Sequence, residues 1–149
     1  MQARSGSMVS VVKCARDSGR DGSIWLLVSR RIFHLWLWVT NNFLPDGLWL
    51  MNQLFFRYVT NVAWIKMRNE KLQIGLGQYF RGAHELLLFG VRGDTMLPDT
   101  KNRPPSVIIA ERTKHSRKPE EAFQLIERVS PGPRLEMFAR TRRPGWPSF

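Results

Sequence analysis

The apolar positions along this chain change rhythm several times, and each change marks an element. Leu35–Thr40 (LWLWVT) is a compact apolar run with a β-branched end, the pattern of a buried strand. Pro45 and Asp46 then open a helix that carries Leu48, Met51, Leu54 and Phe55 on one face. Phe56–Met67 is β-branched and aromatic and predicts a long strand. A polar loop punctuated by glycine (RNEKLQIGLGQYFRG) leads into AHELLLFGVRG, a further strand ending at Gly93. Residues 94–105 hold three prolines and read as a linker, and SVIIAE is a fourth strand.

The segment His115–Arg140 gives the clearest local signal. Ser116 can cap a helix, Pro119 fits a first turn, and Glu120 and Glu121 suit the positive N-terminal end. Phe123, Ile126 and Val129 form an apolar stripe. Ser130-Pro131-Gly132-Pro133 ends the helix, and Leu135, Met137 and Ala139 then alternate with Glu136, Phe138 and Arg140 as in a strand. The order strand–helix–strand–strand–strand–helix–strand predicts an α/β domain with a mixed sheet flanked by helices. Two cations stand at the ends of the last unit, Lys118 before the helix and Arg140 where the strand stops. A cation at a helix N-terminus opposes the dipole, which points to an anionic or electron-rich partner rather than to stability.

Composition narrows the classes. At 149 residues with 43% apolar content, the chain has room for one folded domain. One cysteine, Cys14, excludes an internal disulfide and a cysteine-based metal site. His34, His84 and His115 lack metal-ligand spacing and read as structural or surface residues, so no metal is expected. The most apolar stretch, Ile24–Val39, is broken by Ser29, Arg30, Arg31 and His34, and no secretory signal is recognisable. The expectation is a cytoplasmic protein without a membrane partner. The net charge of +11 is uneven: residues 1–33 carry six Lys/Arg against two Asp/Glu, and residues 112–149 carry nine against four. Such a field favours a polyanion, with nucleic acid ahead of an anionic membrane. Residues 1–23, rich in Ser, Gly, Arg and Asp, read as a poorly ordered leader or, around Val9–Val12, a weak strand.

Candidate chemistry gathers at strand ends, where open α/β sheets bind their ligands. Lys66, Glu111, Arg140 and Thr40-Asn41-Asn42 all stand there, although polar groups also mark any place where a buried strand meets solvent. Tyr79, Phe80 and Arg81, in the loop Gly75–Gly82, combine stacking surface with a cation, which suits an unpaired base. An aromatic pair closing the core is the other reading of Tyr79 and Phe80.

These blocks have a family pattern. LWLWVTN, FRYVTNVAWIK, GLGQYFRGAHELLLFGVRG, SRKPEEAFQLIERVSPGPRLEMFAR and RRPGW, in this order, resemble the N(6)-adenine methyltransferases related to the catalytic subunit of the eukaryotic messenger-RNA adenosine methyltransferase, with its compact bacterial and phage relatives. The resemblance runs from about His34 to Trp146, leaving residues 1–33 as a non-matching leader and 147–149 as a tail. It implies a Rossmann-like, S-adenosylmethionine-dependent fold that methylates the exocyclic amine of adenine. Lys118 and Arg140 match cofactor-side cations, and Arg142 follows in the cofactor-side loop. Glu85 matches an acidic residue near the acceptor base, where Ser116 and Arg117 belong to the loop closing over the pocket. With Tyr79, Arg81 and Lys66 these form the expected substrate and nucleic-acid side. Compactness favours DNA over RNA as acceptor.

The family signature Asp-Pro-Pro-Trp, expected upstream of LWLWVT, does not occur in these 149 residues, and neither does the Gly-Asn-Glu/Gln segment expected after RPGW. The signature's aspartate and prolyl carbonyl orient the target nitrogen toward the methyl donor. No catalytic residue is therefore assigned, and impaired transfer is expected of the chain by itself. A catalytically inactive nucleic-acid-binding or scaffolding relative is the alternative expectation, followed by a non-functional gene fragment.

Overall fold

The computed structural model describes residues 9–14, 32–93, 97–112, 117–130, 132–139 and 142–147. The strands are β1 (Val9–Cys14), β2 (Ile32–Val39), β3 (Arg57–Arg68), β4 (Lys71–Leu72), β5 (His84–Arg92), β6 (Val107–Glu111) and β7 (Arg134–Met137). The helices are α1 (Leu44–Gln53) and α2 (Glu120–Val129). All seven strands form one sheet in the order β4-β3-β5-β2-β1-β7, with β6 added to β3. β6 runs parallel to β3, and the other pairings are antiparallel. The result is an open mixed α/β sheet flanked by helices, consistent with part of a Rossmann-like methyltransferase fold.

Alternation along β2 explains why the sheet needs cover on both faces. Trp36 and Trp38 point to one side and pack with Val62, Trp64, Leu87, Ile108 and the α2 residues Ala122, Phe123, Leu125 and Ile126. Leu35, Leu37 and Val39 point to the other and pack with Met51 of α1, Phe56 and Leu88. A strand buried on both faces reads as continuous hydrophobicity, as LWLWVT does.

The α1 face differs from the one its spacing predicts. Gly47 and Met51 are buried, whereas Leu48, Leu54 and Phe55 are exposed. A Cβ on Gly47 would stand 2.6 Å from Val39 Cγ1, so the missing side chain lets this stripe lie against the sheet. Phe55 occupies the left-handed C-terminal cap position at φ 59°, and Phe56 turns inward in its place. The last strand also stops earlier than its alternation predicts. Phe138 takes φ 64°, which ends β7 at Met137 rather than at Arg140.

The short apolar patch near the start of the sequence is part of β1. It pairs with β2 from Val9↔Leu37 to Cys14↔Ile32 and with β7 from Val9↔Met137 to Val12↔Arg134. The end of α2 is fixed to the sheet by a buried polar knot. Trp36 Nε1 donates to Ser130 Oγ at 2.9 Å, and His34 Nδ1 lies 2.7 Å from the same oxygen. Burial pushes the His34 imidazole down to about 4, so the ring is neutral at pH 7.

Candidate active site

Three chain segments bring their charges to one place on the α2 side of the sheet. β3 and β5 pair with Trp64 opposite Glu85 and Ile65 opposite His84. Lys66 follows Trp64 by two residues, so strand alternation puts both on Glu85's face. Lys118 enters from the segment before α2. Lys66 Nζ lies 2.6 Å from Glu85 Oε1, and Lys118 Nζ lies 2.5 Å from Glu85 Oε2. The anionic partner that the cation at this helix start called for is thus within the chain. Burial by itself would raise the Glu85 pKa. The charges and hydrogen bonds of Lys118 and Lys66 outweigh it and hold the carboxyl below its ordinary value.

Two tryptophans form the floor of the cluster. Lys118 Nζ sits 4.6 Å from the Trp38 ring, and Lys66 Nζ sits 5.6 Å from that of Trp64. The two indoles meet edge to face at 5.9 Å. Trp64 Nε1 donates to the Ala110 carbonyl at 3.1 Å, which ties the floor to β6. Trp38 Nε1 is a buried donor with no acceptor among the described residues. One carboxylate thus bridges two ammonium groups. Lysine donors on an aromatic floor suit a ligand with an anionic end.

A second feature is the loop before β5. Gly75 N donates to the Gly82 carbonyl at 2.8 Å and closes it. A Cβ on Gly77 would stand 1.9 Å from the Phe80 carbonyl oxygen, so this turn admits glycine alone. Tyr79 is 93% exposed and Phe80 91% exposed, so they do not close the core. Arg81 Nε donates to the Gly75 carbonyl at 3.2 Å, which holds the loop in shape.

The chain beyond β7 folds back onto α2. Trp146 is buried, donates from Nε1 to Glu127 at 2.7 Å, and meets Phe123 edge to face. Arg143 pairs both terminal nitrogens with the two oxygens of Glu120 and stacks 3.9 Å from the Phe123 ring centre. That hydrogen bonding holds the Glu120 carboxyl below its ordinary value.

The structure therefore joins Glu85, Lys66 and Lys118. Arg117 is exposed one residue before Lys118, and Arg142 is exposed at the start of the Arg143–Trp146 turn. Ser116 and Arg140 lie outside the described residues. Sequence reasoning passed over Trp38 and Trp64, whose floor role needs strand register as well as composition. It also passed over Glu136, a buried carboxylate on β7 whose pKa burial raises despite the opposing charge of Arg143. The usable signal was an acid within an apolar alternation. Among the described residues no group of His, Cys, Asp and Glu could hold a metal ion, and no helix is long and apolar enough to cross a membrane.

Comparison with known proteins bears on this geometry. The MT-A70 family profile matches residues 24–149. A Medicago truncatula protein named as a putative N(6)-adenosine-methyltransferase MT-A70-like is 30% identical over 121 residues, covering 77% of this chain and 19% of its own length. The human N(6)-adenosine-methyltransferase catalytic subunit METTL3 is 32% identical over 120 residues, covering 75% of this chain and 20% of its own length. A similarly named Oryza sativa protein is 31% identical over 121 residues, with 77% of this chain and 17% of its own length covered. This chain thus spans about a fifth of the length of the curated relatives it matches.

Proposed function

The chain belongs to the MT-A70 family, and from that premise we propose that it carries the cofactor- and acceptor-facing side of a centre that methylates the N(6) amine of adenine in nucleic acid. The observation that carries this reading is Glu85 between Lys66 and Lys118 on the floor of Trp38 and Trp64. S-adenosylmethionine, when bound, supplies an electrophilic methyl group. Lys118 is the cation for its carboxylate, and the family resemblance assigns Arg140 and Arg142 to the same cofactor. Glu85 can accept a hydrogen bond from an adenine amine and so orient it. Tyr79 and Phe80 offer stacking surface, while Arg81, Arg117 and the surrounding positive charge favour the backbone. The names of the relatives specify adenosine, the ribonucleoside, which supports RNA as acceptor; the preference for DNA drawn from compactness gains no support from them.

These 149 residues contain no Asp-Pro-Pro, and by themselves they bind the donor and nucleic acid without turnover. Losing the groups that orient the amine costs several kcal/mol of barrier, and about 1.4 kcal/mol is tenfold in rate. Nucleic-acid binding without methyl transfer is the second reading. The exposed Tyr79 and Phe80 favour it, because they serve binding whether or not transfer occurs. Incubation with methyl-labelled S-adenosylmethionine and adenine-containing RNA and DNA tests the account. Donor retained on the protein with no label in either nucleic acid is expected. Robust incorporation overturns the claim of dependence on Asp-Pro-Pro, and failure to retain the donor overturns the cofactor assignment.

A further inference from the structure

The loop between β4 and β5 carries its apolar residues outward. Leu76 is 98% exposed, more than Tyr79 and Phe80 in the same loop. A ring that serves as a stacking platform has one face covered by the protein. Phe80 has both faces bare, and Leu76 touches almost nothing. Neither side chain contributes burial to the fold in this position.

The tip is nevertheless held in shape. Both limbs of the loop hydrogen-bond to the backbone of Lys66 in β3. Its N–H donates to the Ala83 carbonyl at 2.9 Å, and its carbonyl accepts from Gln73 N at 2.7 Å. Beyond these, the Gly75–Gly82 bond closes the loop, and the backbones of Gly77 and Phe80 meet too closely for any side chain at position 77. Leu76 and Phe80 therefore flank one tight turn. Lys66 is also the residue whose Nζ reaches Glu85. The root of the loop and the candidate site share a residue, which fixes the tip relative to Glu85.

The surroundings of the tip select its partner. From Lys66 to Arg81 the sequence has Lys66, Arg68, Lys71 and Arg81 as cations and Glu70 as the one acid. Arg68 and Lys71 are exposed and stand opposite each other in the β3–β4 hairpin that leads into the loop. Apolar side chains rimmed by cations match a base stack rimmed by phosphates, and Leu and Phe are among the residues that open base steps. The chemistry of the acceptor adds a requirement. In a duplex the N(6) amine of adenine is engaged in base pairing, so Glu85 can receive it only from a base released from its pair.

We propose that Leu76 and Phe80 form a wedge that inserts between neighbouring stacked bases and frees an adenine beside it. The substrate class then includes base-paired nucleic acid, and is not confined to strands that are already open. Because the turn is preformed, insertion orders little of the chain, and the apolar area buried on both faces of the Phe80 ring offsets the cost of unstacking.

The wedge rests on the nucleic-acid reading above, and the experiment separates the two. The probe is an RNA hairpin of mixed sequence in which 2-aminopurine, which pairs with uracil, replaces the adenines of the stem. Its emission is quenched in the stack and rises when the base is unstacked. Oligouridine, whose bases stack weakly, is the companion probe that needs no wedge. The full-length chain at saturation should raise the emission of the hairpin. The double variant Leu76→Ser, Phe80→Ser, shown folded by circular dichroism, should leave the emission at saturation at the level of the free hairpin. Its affinity for the hairpin should fall roughly 5- to 150-fold, the equivalent of one lost stacking contact, with an unchanged salt slope. Its affinity for oligouridine should fall much less, because Tyr79 and Arg81 remain. Phe80→Leu, still a wedge side chain, should keep the rise in emission. If the wild-type chain binds the hairpin without raising its emission, or the double variant raises it equally, the wedge is overturned and the nucleic-acid reading stands. Equal losses of affinity for hairpin and oligouridine make the tip a platform and overturn the wedge as well. Sedimentation of wild type and double variant reads the remaining case: self-association lost in the variant with emission unaffected makes the tip a protein contact and overturns the wedge. Binding to neither probe by the folded wild-type chain overturns both readings.

Discussion

Replacing Glu85 by glutamine keeps the shape of the side chain and removes the one charge between two lysines. Lys66 and Lys118 are 17% and 7% exposed at their side chains, and Glu85 is 15% exposed, so water can compensate only in part. Breaking a fully buried ion pair by removing one partner costs about 3–5 kcal/mol. The remaining exposure and the amide oxygen, which still accepts from one lysine, reduce this to about 2–3 kcal/mol for Glu85→Gln. For a domain of this size that corresponds to a fall in Tm of roughly 5–10 °C. Urea unfolding followed by tryptophan fluorescence measures it directly, because Trp38 and Trp64 underlie the cluster. The pH dependence is a second signature. The folded pKa of Glu85 lies below its unfolded value, so its contribution is present above the unfolded value and is lost as pH falls through the folded one. Wild type and variant should therefore differ at pH 7 and converge in acid. A Glu85→Gln variant within about 0.5 kcal/mol of wild type at pH 7 would refute the reasoning, because exposed ion pairs are worth no more than that.

Other consequences concern separate parts of the molecule. Phe55→Gly should stabilise the chain by about 1 kcal/mol in the same unfolding assay, because an 81% exposed ring in the left-handed region gives up strain and little packing. His34, pushed down to about 4 from its ordinary 6.5, makes the fold most stable above the higher value. Stability should fall by about 2 kcal/mol between pH 8 and pH 5 as the unfolded chain gains a proton that the folded one refuses, and a flat profile in that window would contradict the buried neutral ring. Tyr79→Ala should weaken binding to single-stranded nucleic acid by about 1–3 kcal/mol with no change in salt dependence. Arg81→Ala should instead flatten the slope of log K against log salt by about one if Arg81 meets a phosphate, and the converse pattern would reverse the two roles.

Much of the architecture is readable from local pattern. LWLWVT needs no partner to announce a strand buried on both faces, and Pro119-Glu120-Glu121 marks a helix start from the chemistry of its first turn. What local pattern cannot supply is the choice between competing stripes and the meeting of distant charges. The α1 face turned on Gly47, where an absent side chain permits close approach, a fact visible only against Val39 and Leu88. The end of β7 turned on the backbone of Phe138, which strand alternation does not encode. Lys118 carried a legible anomaly, a cation against a helix dipole. Its partner Glu85 stands 33 residues earlier and is set by the register of β3 on β5. Trp38 and Trp64 read as core and are core, so their second role under the lysines has no separate mark in the sequence.

The central claim is that Lys118, paired with Glu85, faces the methyl donor. Equilibrium titration of S-adenosylmethionine into the wild-type chain and into Lys118→Met, each shown folded by circular dichroism, tests it most directly. Saturable binding by wild type, weakened at least tenfold in the variant, is the predicted result; about 1.4 kcal/mol, the low end for a charge-assisted hydrogen bond, corresponds to that factor. Equal affinity in the two folded proteins, or no binding by wild type, would contradict the account.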